Sequence, residues 1–143
     1  MQVKGTVVHA VVVDSALSVA EHEALVADPG AGAVVSFAGI VRDHDHGRSV
    51  DLLEYVGHPG AGDIIAEVAA EIAGTEGVRA VAVSHRIGTL AVGDVALACA
   101  VSSAHRREAF EACGRLVDEV KHRLPIWKRQ VFADGSDEWV NCP

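Results

Sequence analysis

The order of elements legible in this chain, βαββαββαββ, predicts a compact α+β domain with a mixed or antiparallel sheet and about three helices. Three observations carry that prediction. Runs rich in β-branched residues recur with hairpin-length breaks between them. Segments with helical periodicity lie between those runs and carry start and stop signals. A length of 143 residues, half of them hydrophobic, suits one core and one domain spanning residues 1–143.

Val3 to Val13 is β-branched and reads as the first strand. Ser18 to Glu21, "SVAE", fits a capping box opening a short helix, which "DPGAG" at Asp28 to Gly32 closes. Ala33 to Val41 reads as the second strand, "RDHDHGRS" as a polar loop, and Val50 to Val56 as the third strand. "HPGAG" breaks the chain before a helix from about Asp63 to Ala73. Val78 to Arg86 and Asp94 to Ser102 are two strands joined by "IGTLAVG". A long helix follows, from about Ala104 to Arg123, and Leu124-Pro125 ends it because the residue before a proline is pushed out of the helical region. Ile126 to Ala133 and Glu138 to Val140 close the domain around "DGSD".

Composition removes several function classes. A net charge of −8 argues against nucleic-acid binding, which needs a basic surface to neutralise phosphates. No apolar run approaches the length needed to span a bilayer, and the polar interruptions of "MQVKGTVVHAVVVD" do not suit a signal peptide. Cys99, Cys113 and Cys142 have no metal-type spacing and read as reduced, which favours the cytoplasm. Any anion site must come from a local cluster of basic residues in an acidic protein.

"VKHRLPIWKRQ", Val120 to Gln130, holds such a cluster. The chain has three lysines, Lys4, Lys121 and Lys128, against nine arginines. At 100° per residue the apolar stripe of the long helix runs through Phe110, Cys113, Val117, Val120 and Leu124. Arg106 falls within that stripe and Lys121 beside it, so both are expected on the side that meets the sheet; snorkelling at the edge of the core explains either residue alone. Past Pro125, strand alternation puts Ile126 and Lys128 on one face and Trp127 and Arg129 on the other. A strand returning along the helix brings the two amines together, and burial there would push a lysine toward neutrality. Arginine cannot serve in that way, because it keeps its proton.

Three other stretches compete. Arg42 ends a strand, where a guanidinium can hold a phosphate or carboxylate. Asp43, His44, Asp45 and His46 alternate in a glycine-containing loop and read as solvated, so no metal site is expected. "SHRIG", Ser84 to Gly88, lies on a strand and reads as structural. "SAHRR", Ser103 to Arg107, opens the long helix, whose N-terminal amides favour an anion. No nucleotide-binding, nucleophile-elbow or zinc-protease fingerprint is present.

"GAVVSFAGIVRDH", "LEY", "SHRIGTLAVGD", "SSAHRREAFEA", "VKHRLPIWKRQ" and the late "WV" occur in an order that resembles the molybdopterin synthase catalytic (large) subunit family. The resemblance runs from residue 32 nearly to the end. It implies an α/β-hammerhead-type α+β fold and a homodimer with a small ubiquitin-like sulfur-carrier subunit at each end, a heterotetramer. It implies a sulfurtransferase that moves sulfur from the carrier's C-terminal thiocarboxylate to cyclic pyranopterin monophosphate, forming the dithiolene of molybdopterin in molybdenum cofactor biosynthesis. No further cofactor is implied, since the carrier supplies the sulfur.

Carried onto this chain, the resemblance gives Lys121 and Lys128 as catalytic residues. It gives Ile40, Val41, Arg42, His105, Arg106, Lys121, Lys128, Arg129 and Gln130 as substrate-binding residues. Relatives often carry Glu where this chain has Gln130, and the sequence stops at Pro143, soon after "WV", so contacts that a longer tail would supply are expected to be missing. Arg106 and Lys121 lie fifteen residues apart, roughly 22 Å along a helix axis, so a site using both is expected to be shared across the homodimer. Two rival readings stay open: a lysine Schiff-base lyase, which needs a desolvated lysine, and a non-enzymatic dimeric anion-binding module.

Overall fold

The computed structural model of the chain describes residues 5–142. Its elements are β1 (Thr6–Val13), α1 (Val19–Leu25), β2 (Ala33–Ile40), β3 (His44–Asp45), β4 (Arg48–Gly57), α2 (Ala61–Ala73), β5 (Val78–Arg86), β6 (Gly88–Ala91), β7 (Val95–Ser103), α3 (Arg106–Arg123), β8 (Ile126–Phe132) and β9 (Asp137–Cys142). Val3 and Lys4, where the first strand was expected to begin, lie outside the described residues.

Two sheets form. The first has the order β1-β5-β7-β2, with β1 parallel to β5 and the other pairs antiparallel. Its central strands are buried on both faces, which is why β5 and β7 read as continuous apolar runs. Val81, Val83, Leu97, Cys99 and Val101 point to the face that carries α2 and α3. Ala80, Ala82 and Ala100 point to the opposite face, where Val26 at the end of α1 covers them. The small residues on that face let the short helix come close. His22 anchors it: Nδ1 donates to the Ser18 carbonyl at 2.6 Å, and Nε2 pairs with the Ser84 hydroxyl at 2.7 Å. Ser18 also accepts from the Glu21 amide, as the capping-box pattern predicts.

The second sheet has the order β3-β4-β8-β9, with β6 also paired to β4. Val50, Leu53, Leu90 and Phe132 are buried there with Val41 and Ala96, which join the two sheets. Two of its strands were not expected. "RDHDHGRS" folds as a hairpin in which His44 and Asp45 pair with Ser49 and Arg48 across His46 and Gly47. Both turn residues have positive φ, 50° and 78°, the requirement of a tight two-residue hairpin that glycine meets at low cost. "IGTLAVG" holds β6 between Gly88 and Gly93, whose φ values of 95° and 93° turn the chain out to the second sheet and back.

α3 departs from the expected register. It starts at Arg106, with His105 as an extended N-cap, rather than at Ala104. It buries Ala109, Ala112, Cys113, Leu116 and Val120, and leaves Phe110 64 % exposed. The buried stripe is therefore rotated by roughly 60° from the expected one, which had Phe110 at its edge. Alanines, not the aromatic, set the face that fits closely on β2 and β7. Arg106 and Lys121 are consequently exposed instead of facing the sheet.

Candidate functional site

A cavity of about 240 Å³ lies where the first sheet meets the second. The end of β2 contributes Ile40 and, just beyond it, Val41 and Arg42; the last turn of α3 contributes Val120 and Lys121; β8 contributes Ile126, Lys128 and Gln130. Each arrives for a local reason. β2 ends at the start of the β3–β4 hairpin, so Arg42 stands at the rim. Pro125 stops α3, and Leu124 leaves the helix with ψ 121°, turning the chain into β8. Alternation along β8 then puts Ile126 and Lys128 on the cavity side, as predicted, together with Gln130, and Trp127 and Arg129 on the other. Register Tyr55↔Lys128 brings Tyr55 of β4 alongside.

Three cations, Arg42, Lys121 and Lys128, therefore line one cavity in a protein of net charge −8. Asp45 stands at its edge. The Gln130 amide donates to Asp45 at 2.9 Å, and Arg42 approaches the same carboxylate at 3.5 Å. The Gln130 bond, followed by the charges of His46, Lys128 and Arg42, holds the Asp45 carboxyl below the usual carboxylate range against some desolvation. Lys121 is exposed and Lys128 half-buried, so neither has the deep burial that would activate a lysine by desolvation.

The remaining candidates lie elsewhere. Arg129 faces away from the cavity and is bound by Asp137 at 2.7 Å. His105 and Arg106 are exposed at the other end of α3 and do not line the cavity of their own chain. Among the described residues no group of His, Cys, Asp and Glu side chains is arranged to hold a metal ion, and no helix is long and apolar enough to cross a membrane.

One cavity residue was misjudged from sequence. His85, on the strand read as structural, is 8 % exposed and lines the cavity. Its ring packs edge-on against Tyr55, with centroids 5.1 Å apart, and its Nδ1 lies 2.8 Å from the Arg86 carbonyl. Burial, with a smaller contribution from the Lys121 charge, lowers its pKa to about 4 despite the opposing carbonyl bond. The available signal was parity: His85 follows Val81 and Val83 on the face of β5 that looks toward α3.

The family model described as MoaE protein matches residues 12–123. The chain is 41% identical over 127 residues to the molybdopterin synthase catalytic subunit of Nostoc sp., covering 87% of this chain and 77% of that one. It is 40% identical over 132 residues to molybdopterin synthase catalytic subunit 1 of Mycobacterium tuberculosis, covering 89% and 86%. A crystal structure of molybdopterin synthase from Staphylococcus aureus matches with a TM-score of 0.85 at 30% identity, over 92% of this chain and 96% of that one. A chain from the complex of subunits 1 and 2 of molybdopterin-converting factor from Helicobacter pylori shares the fold, with a TM-score of 0.71 at 20% identity over 91% and 87%.

Proposed function

The chain belongs to the MoaE protein family, with molybdopterin synthase catalytic subunits as its relatives, and from that premise we propose that it transfers sulfur from a carrier's C-terminal thiocarboxylate to cyclic pyranopterin monophosphate. The observation that carries this reading is the convergence of Arg42, Lys121 and Lys128 on one cavity. Arg42 pairs with the substrate phosphate. Lys121 and Lys128 draw in the anionic thiocarboxylate, whose sulfur bonds to a carbon of the pterin. Water then adds to the carrier's acyl carbon, and the lysines stabilise the oxyanion that forms before the C–S bond breaks and the carrier leaves as a carboxylate. They also pass protons as the pterin ring opens. A dithiolene has two sulfurs, so two carriers deliver one each. The Schiff-base alternative is less well supported, because it asks for a desolvated lysine and the cavity offers an exposed and a half-buried one.

The proposed site is completed by a second copy of the chain. β2 is the outermost strand of its sheet, apolar and uncharged, an edge that invites pairing. α3 runs alongside it. The Gly32 amide bonds the Ser103 carbonyl at 3.0 Å, so the Ala33 end of β2 lies beside the start of α3, while the Ile40 end reaches the cavity and Lys121. A groove between the middles of these elements is lined by Val35, Phe37, Phe110, Gly114 and Val117. A two-fold axis through that midpoint pairs β2 with its copy and carries the partner's Arg106 to the cavity that holds Lys121. It also sets Arg107 in the first half of α3 near the partner's Asp118 in the second.

The test is incubation with a thiocarboxylated carrier and the cyclic pterin, followed by assay for dithiolene product. Absence of product would overturn the assignment. Mixing equal amounts of Arg106→Ala and Lys121→Ala chains should restore about a quarter of wild-type activity, because half the dimers are mixed and each keeps one intact site. Restoration near zero would remove the shared site.

A further inference from the structure

The Asp45 carboxylate touches two residues of the cavity and holds them unequally. Its Oδ2 accepts from the Gln130 amide at 2.9 Å, on a side chain that is 3 % exposed. Its Oδ1 faces the Arg42 guanidinium at 3.5 Å, with the His46 ring farther off at 3.9 Å. The acid is fixed from below as well, because β3 pairs with β4 through Asp45↔Arg48. Arg42 is the loose member, its side chain 66 % exposed against 19 % for that of Asp45. A long ion pair with so exposed a partner is weak and readily exchanged.

Gln130 does not account for the charge. A buried amide needs an acceptor, and a neutral asparagine at position 45 would supply one. A carboxylate differs from that asparagine in what it does to the cations beside it, and by charge alone it works against a cavity that draws in anions. Its effect is therefore to be sought at Arg42. We propose that Asp45 is a specificity-determining residue: a fixed internal counter-ion that occupies Arg42 until an anionic ligand displaces it. Arg42 moves and Asp45 stays, since Gln130 keeps hold of Oδ2. The exchange lowers the affinity of every anion that uses Arg42 by one common factor. A small anion that meets only Arg42 then fails to fill the cavity at ordinary concentrations. A phosphorylated substrate that also reaches Lys121 and Lys128 loses the same factor and still binds. The carrier's thiocarboxylate, drawn in by the lysines, is not subject to the exchange. This inference rests on Arg42 as the phosphate ligand, but its test measures binding and not turnover.

Inorganic phosphate and acetate are titrated separately into the full chain, with backbone amide signals of the β3–β4 hairpin followed by NMR. Asp45→Asn keeps an acceptor for Gln130 and removes the charge, so it should tighten both anions about two- to fivefold, the range for an exposed ion pair. Before any anion is added, the Nε–Hε signal of Arg42 should report a more mobile side chain in Asp45→Asn than in the wild type. In an Arg42→Ala background the same substitution should gain less than about half as much. If Asp45→Asn does not fold, Asp45→Ser takes its place with the same expectations. Anion affinity that is unchanged or weaker in the folded variant overturns the proposal. So does an equal gain without Arg42, which would mean a general charge effect, and so does an Arg42 signal of unchanged mobility. If Arg42→Ala alone leaves phosphate binding at the wild-type level, Arg42 is not the phosphate ligand and the counter-ion role falls with it. Failure of the sulfur-transfer reading would appear instead as a wild-type protein without product, whatever the anions do.

Discussion

The two ends of α3 have similar composition and opposite surroundings. Its first turn carries Arg106 and Arg107 after His105; its last carries Lys121, His122 and Arg123. At the C-terminal end Lys121 lines a walled cavity, and Arg123 is clasped by Glu67, Glu71 and Glu119, fastening α3 to α2. At the N-terminal end the basic side chains stand in solvent, and only Arg107 has a carboxylate within 4.0 Å, that of Glu111. The difference teaches that basic residues on one helix do not make one site. What makes a site is the second sheet, which arrives only at the C-terminal end and brings Lys128 and Gln130 on β8.

The sharpest way to break this comparison is at Lys128. Lys128→Ala should lower the rate of dithiolene formation by ~10²- to 10⁴-fold, the range for losing a group that moves protons or stabilises charge in the transition state. Arg106→Ala should cost less, ~10-fold, with the loss seen mainly in KM if it only grips substrate. An effect at Arg106 as large as at Lys128 would mean that both ends do chemistry.

The middle of the helix separates folding from function. Leu116 is fully buried against the first sheet, so Leu116→Ala should lower stability by about 2–5 kcal/mol in denaturant titrations. Turnover per folded molecule should stay near wild type. A fall in turnover without a fall in stability would show that the two ends communicate through the helix body.

Acid tests the cavity end through His85. An unfolded imidazole takes its proton near pH 6.5, while folded His85 takes it only near 4. Above 6.5 both states are neutral and the stability is complete; as pH falls from 6.5 toward 4 the unfolded chain binds a proton that the folded one refuses, and stability drops. The drop is on the order of 3 kcal/mol at most, and His85→Gln should remove that part of the slope. His9, also lowered by burial and by His22, adds a smaller slope of the same sign that His85→Gln leaves in place.

The smallest effect on folding is expected at Phe110. Phe110→Asp changes an exposed side chain, so stability of the single chain should move by less than about 0.5 kcal/mol. Sedimentation should nonetheless show monomers in place of the dimer proposed for the wild type, with turnover falling alongside. A dimer that survives Phe110→Asp would move the proposed interface away from this groove.

Most strands and helices were legible because their causes are local. Val78 to Arg86 shows its β-branched run, Ser18 its cap, and Leu124-Pro125 its stop. β3 and β6 were not, for a shared reason: each is a short strand, of two and four residues, that exists because β4 offers an edge to pair with. Strands that short have too little periodicity to announce themselves. The α3 stripe was misread because a hydrophobicity count favours Phe110, whereas packing against β2 and β7 favours alanines. Of the candidate residues on β8, the face that carries Lys128 followed from alternation alone, whereas Arg129 was a candidate by resemblance and turns away from the cavity. His85 was overlooked because a histidine on an apolar strand reads as structural until its neighbours across the cavity are known.

The sequence by itself determined the element order, the break at Pro125, the side of β8 that carries Lys128, and a family resemblance strong enough to name a chemistry. These depend on residues near one another in the chain, where dihedral preference and alternation act. Only the tertiary structure decided which basic residues share a cavity. Arg42 beyond the end of β2, His85 on β5, and Lys121 and Lys128 on the consecutive α3 and β8 come from three separated stretches of sequence, and they meet because β4 and β8 pair beside the end of the first sheet. Burial and the electrostatics it brings follow from that meeting, since a side chain's solvent is replaced by whatever the rest of the fold sets against it.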